Sequence, residues 1–114
     1  MTTKQYYFCV SAVANYNDPD AYVSDLALST IWDDAPDAPI PPDRLDQLRS
    51  IYAAASRTVR EIVAAAGMTQ AAFAERFCVP RRTVEDWCRG ITKCPMYTRL
   101  LIQQSLGLFT PPIK

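Results

Sequence analysis

Gln70-Ala-Ala-Phe-Ala-Glu-Arg-Phe-Cys-Val-Pro-Arg-Arg-Thr-Val-Glu-Asp-Trp-Cys-Arg89 carries two apolar clusters at helical spacing with a proline between them. It reads as two short helices separated by a sharp turn. In its first half Phe73, Ala74 and Phe77 fall at i, i+1 and i+4 and share one helical face. In its second half Val84, Trp87 and Cys88 fall at i, i+3 and i+4 and make another. Cys78-Val79-Pro80 separates the two. Proline lacks the amide that a continuing helix needs, but its fixed φ suits the first turn of a new one.

The second helix leaves Arg81, Arg82, Glu85, Asp86 and Arg89 off its apolar face. A helix anchored on one side, with two arginines in its first turn on the other, has the geometry of a reading head. When such a helix enters a major groove, residues at its N-terminal end meet the base edges. The forked guanidinium matches the two acceptors on guanine.

With those residues in view, the chain resembles the lambda-repressor-like, or Xre/Cro-type, helix-turn-helix regulators. The resemblance runs from about Thr58 to Leu108, through Thr58-Val-Arg-Glu-Ile-Val-Ala-Ala-Ala-Gly67, the Gly67-Met-Thr-Gln70 run, small Ala74, apolar Val84 and Trp87 followed by Arg89-Gly90. It ends in Lys93-Cys-Pro-Met-Tyr-Thr-Arg-Leu-Leu101. One departure stands out: Cys78 fills a turn position where the family usually carries Gly, the residue most at ease in a left-handed backbone. The fold implied is all-α, a lambda-repressor-like helix-turn-helix bundle with an additional N-terminal helical arm.

Working outward, Thr58 and Glu61 have capping-box spacing, and Val59, Ile62, Val63 and Ala66 then make a helix that Gly67 stops. Thr69 caps the first helix of the motif. Pro95 opens a last helix, whose core contact is expected from Leu100, Leu101 and Ile102. Upstream, Pro42-Asp43 starts a helix lined by Leu45, Leu48, Tyr52 and Ala55. Asp18-Pro19 starts another, with Val23, Leu26, Ala27 and Ile31 on its face, ending near Trp32. Residues 4–17 are rich in β-branched and aromatic side chains, which favour a strand, but Tyr6, Cys9, Val10, Val13 and Ala14 also fit a helical face. A lone strand has nothing to pair with, so helix is favoured. Four prolines and three aspartates between Asp33 and Pro42 read as a stiff connection. The expected organisation is an acidic arm at 1–35, a Pro-rich linker at 36–42, a DNA-binding domain at 43–109 and a short tail at 110–114.

Composition narrows the chemistry. At 114 residues the chain is expected to build one helical core. Without histidine there is no Ser-His or Cys-His nucleophile pair, and three scattered glycines make no phosphate-cradling loop. Cys9, Cys78, Cys88 and Cys94 lack C-x-x-C spacing and read as small apolar residues in a reduced compartment. No enzyme activity, cofactor, metal or membrane span is expected. The N-terminus lacks the layout of a secretory signal, so a cytoplasmic location is expected. The formal net charge of zero conceals a division: residues 1–56 carry three Lys or Arg against eight Asp, and residues 57–114 carry nine against four Asp or Glu. The basic half holds the motif, as a nucleic-acid footprint requires.

The resemblance assigns base reading to Arg81, Arg82 and Asp86, and phosphate contact to Gln70 at the head of the first motif helix. Glu85 and Arg89 lie farther round the second helix. Glu85 or Asp86 either accepts from cytosine or orients the arginines as an i, i+4 or i, i+3 neighbour. Lys93, Tyr97, Thr98 and Arg99 follow the reading helix, where phosphate contacts continue. Double-stranded DNA is the partner implied, by a prokaryotic or phage-derived transcriptional regulator. Members of the family commonly bind as dimers, which favours a homodimer; Tyr6, Tyr7, Phe8, Tyr22 and Trp32 of the arm either bury against the domain, pair two copies or meet a protein partner. The competing reading is a protein-interaction adaptor, or an antitoxin-like module, on the same fold.

Overall fold

Side-chain caps written into the sequence start four of the helices in the computed structural model, which describes residues 1–114. Seven α-helices form: α1 (Thr3–Ala12), α2 (Pro19–Ala27), α3 (Pro42–Ser56), α4 (Val59–Ala66), α5 (Gln70–Phe77), α6 (Arg81–Arg89) and α7 (Met96–Ser105). Single turns of 3-10 helix occupy Val13–Asn15 and Thr30–Trp32, and there is no strand. The all-α expectation therefore holds, and residues 4–15 are helical despite their composition, with Tyr16 extended after them. Thr2 caps α1 through a reciprocal box with Gln5, and Asp18 caps α2 through the amides of Asp20 and Ala21. The helix starting at Pro19 stops earlier than Trp32, at Ala27, because Ser29 turns the chain and its hydroxyl caps the amide of Ile31.

The chain forms two compact units, Met1–Ala55 with Pro111–Lys114, and Ser56–Thr110. This division differs from the one the prolines suggest. The Pro-rich segment falls inside the first unit, with α3 beyond it in the same unit as α1 and α2. Large side chains on α3 are the reason. The Tyr52 ring packs at a tilt against that of Tyr22, centroids 5.0 Å apart, and its hydroxyl donates to the Tyr16 carbonyl at 3.2 Å. Arg44 lies buried, donating to both carboxylate oxygens of Asp34 at 2.6 and 3.0 Å and to the Ala27 carbonyl at 3.3 Å. Its guanidinium also covers the Trp32 ring at 4.4 Å. Leu48, Ile51, Ala54 and Ala55 complete the buried face of α3, whereas Leu45 is exposed. The tail belongs to this unit as well: the Met1 ammonium donates to the Pro112 carbonyl, and the Lys114 amide to the Met1 carbonyl.

The second unit is a four-helix array of α4 to α7 around one core. Val59, Ile62 and Val63 of α4, Phe73 and Ala74 of α5, Val84 of α6, Cys94 and Ile102 are buried together. Phe77, Val79, Trp87, Cys88 and Leu108 pack at its edge. Leu100 and Ile102 are buried as expected, but Leu101 faces outward, 61% exposed. Three consecutive residues cannot share one face of a helix. The face of α7 that contains Leu100 is completed by Gln103, which is fully buried.

Candidate nucleic-acid interface

The turn between α5 and α6 is built from backbone bonds. Cys78 adopts a left-handed conformation at φ 54°, ψ 38°, and the amides of Cys78 and Val79 close α5 onto the carbonyls of Glu75 and Ala74. A non-glycine residue pays a steric cost there. The turn nonetheless forms, because Phe73 and Ala74 on one side and Val84 on the other are fixed in a common core. Thr69 caps the other end of α5 by accepting from the Ala72 amide at 3.1 Å, which sets exposed Gln70 at the first helical position.

Helix α6 is anchored by fully buried Val84, with Trp87 and Cys88 half-buried beside it. That orientation leaves Arg81 and Arg82 pointing outward, their side chains 70% and 82% exposed. Pro80 precedes them and offers no side-chain cap. The first amides of α6 therefore add their partial positive charge to that of the two guanidinium groups. One turn on, Glu85 approaches Arg81 at 3.3 Å and Asp86 approaches Arg82 at 3.5 Å. Such exposed pairs contribute little stability. Their effect is geometric, since each carboxylate steers the arginine four residues before it. Arg89 is exposed in the last turn of α6, and Gly90 ends that helix in the left-handed region at φ 75°.

The remaining residues assigned from sequence part company. Lys93 is exposed in the loop after α6, and Tyr97 is 70% exposed at the start of α7. Thr98 is half-buried. Arg99 turns inward: its Nε donates to the Cys94 carbonyl at 3.1 Å and its Nη1 to the Arg57 carbonyl. It thus clamps the loop that carries Lys93 rather than presenting its guanidinium outward.

Sequence reasoning missed the partners of this clamp. Arg57 Nη1 donates to Gln103 Oε1 at 2.9 Å, and Gln103 Nε2 donates to the Arg99 carbonyl at 3.2 Å. The signal was present in the spacing, since Gln103 stands three residues after Leu100 and so on its face. Burial raises the thiol pKa values of Cys88 and Cys94, which fits packing residues rather than reactive ones. No helix is long and apolar enough to cross a membrane.

Residues 59–102 match the family model for helix-turn-helix proteins of the Xre, lambda-repressor-like type. The matched segment begins with α4 and ends within α7, so it takes in the anchored helix, the turn before it and the clamped loop. No curated protein and no solved structure matches the chain.

Proposed function

We propose that the lambda-repressor-like helix-turn-helix domain carried by residues 59–102 binds duplex DNA sequence-specifically and that the protein is a transcriptional regulator. One observation carries this reading. The first turn of a core-anchored helix presents two adjacent arginines outward, within a segment matching a DNA-binding family. Helix α6 enters the major groove, where Arg81 and Arg82 read base edges. Glu85 and Asp86 orient those arginines or accept from cytosine. Gln70, Arg89, Lys93 and Thr98 hold the flanking phosphates. Arg99 contributes indirectly, by fixing the loop.

Fluorescence anisotropy on a selected duplex tests the assignment. Arg81→Ala and Arg82→Ala are each expected to cost about 1–3 kcal/mol on the cognate site and much less on unrelated DNA. Lys93→Ala is expected to weaken all duplexes alike and reduce the salt slope by roughly one unit. Unchanged affinity and sequence preference in Arg82→Ala would remove that residue from the reading set.

A protein-interaction role on the same fold has one observation in its favour. Ile91, Tyr97 and Leu101 are 60%, 70% and 61% exposed in the loop after α6 and on α7. Tyr7, Phe8 and Leu28 are likewise exposed in the N-terminal unit. Apolar surface of this kind suits self-association, so a homodimer belongs to the proposal. Analytical ultracentrifugation reads it directly: a dimer supports it, and a monomer at high micromolar concentration removes it.

A further inference from the structure

The start of α4, the C-terminal end of α6, the loop after it and α7 surround a cleft of about 360 Å3 in the second unit. That volume is within the range of small-molecule sites. One side is apolar, formed by Trp87, Val59 and Cys94. The rest of the lining is polar and one-sided in its chemistry. None of its lining residues carries a carboxylate, and two of its acceptors are already occupied. Arg99 bonds to the Cys94 carbonyl, and the Thr58 hydroxyl is engaged in the reciprocal cap with Glu61.

What remains free around the cleft includes a cation, an indole N–H and two hydroxyls that can donate. The Lys93 ammonium has no ion pair within the chain, and the hydroxyls of Ser56 and Thr92 and the indole N–H of Trp87 make no hydrogen bond within it. Donors and a cation beside a flat aromatic wall are complementary to an anion attached to a flat apolar body. A backbone phosphate of DNA would use the cation but not the wall.

We propose that this cleft binds a small planar organic anion, an aryl phosphate or aryl carboxylate, with its ring against Trp87 and Val59 and its anionic group on Lys93 and Thr92. The site stands whether or not α6 reads DNA. A further consequence rests on the DNA reading: an occupied cleft withdraws Lys93 from the phosphate contacts and lowers affinity for duplex DNA, which would make the ligand an effector.

The test uses full-length 15N-labelled protein and phenyl phosphate as the probe, followed by amide and indole NMR shifts. The expected result is a saturable shift of the Trp87 indole N–H and of the Thr92 and Lys93 amides, with the Trp32 indole unmoved. Both Thr92 and Lys93 are exposed. A Thr92→Ala/Lys93→Gln variant should therefore keep the rest of the spectrum while binding phenyl phosphate about tenfold more weakly or worse. Inorganic phosphate, lacking the ring, should bind more weakly than phenyl phosphate. The proposal is overturned if the Trp87 signal shows no saturable shift, or if the double variant binds phenyl phosphate as well as wild type. Equal affinity for inorganic phosphate also overturns it, since that is a bare phosphate contact of the kind a duplex backbone fills. Duplex titrations without the probe read the DNA proposal separately, so either idea can fail while the other survives.

Discussion

Cys78 is a single residue on which the motif's geometry turns. Its left-handed backbone is the conformation that the helix-turn-helix turn needs, reached without the glycine that reaches it most easily. Cys78→Gly is therefore expected to stabilise the protein by about 1 kcal/mol, removing the side-chain penalty in the left-handed region. Thermal unfolding at matched pH measures it, and a lower melting temperature would show that the thiol contributes packing that outweighs the strain. Phe73 lies at the opposite extreme, with no exposed surface. Phe73→Ala should cost about 3–5 kcal/mol, as emptying a fully buried aromatic site does. In a domain of this size, such a loss would leave the folded state barely populated. Both residues were legible in the sequence, one from its place beside Val79-Pro80 and the other from helical spacing. Arg99 was not, because an arginine's fate depends on which carbonyls the fold brings within reach, here those of Cys94 and Arg57.

At the scale of elements, the helix starts were readable because caps are local. Thr58 with Glu61, Thr69, and Asp18 before Pro19 all act within one turn, and all perform as their spacing implies. The Thr58 cap carries a pH dependence. Hydrogen bonds from the Thr58 amide and hydroxyl hold the Glu61 carboxyl below its ordinary value. A depressed carboxylate pKa stabilises the fold above the unfolded value of about 4.3, and that contribution is lost as pH falls through the folded value. Glu61→Gln should accordingly flatten the acid limb of a stability-against-pH curve, followed by urea unfolding from neutral pH to pH 3. An unchanged limb would mean the cap does not hold in solution. Asp34 follows the same sign in the N-terminal unit, where the hydrogen bonds from Arg44 lower its pKa. The face of α7 was less legible. A run of three apolar residues gives no phase, and tertiary packing chose Leu100 and Ile102 with Gln103 over Leu101.

At the scale of the whole molecule, the division into units was the least legible feature. Prolines and aspartates mark a segment as extended, but they do not say whether the helix beyond it returns to the unit before. Here Tyr52 and Arg44 carry it back, by a tilted ring contact and a buried charge, and neither contact has a sequence signature. The charge partition survives the redrawn boundary. The unit Ser56–Thr110 holds eight Lys or Arg against four Asp or Glu, while Met1–Ala55 with Pro111–Lys114 holds four against eight. Binding to duplex DNA should therefore weaken steeply with salt although the formal net charge is zero. A salt-independent affinity would point to contacts of another kind. If Arg81 and Arg82, at the head of α6, read a DNA sequence, selection from random duplexes will show it. The wild-type protein and an Arg81→Ala/Arg82→Ala variant would be taken through the same rounds. One enriched motif is expected from the wild type, lost in the variant, with two half-sites if the protein binds as a dimer. No enrichment from the wild type, or the same motif recovered by the variant, would contradict that reading.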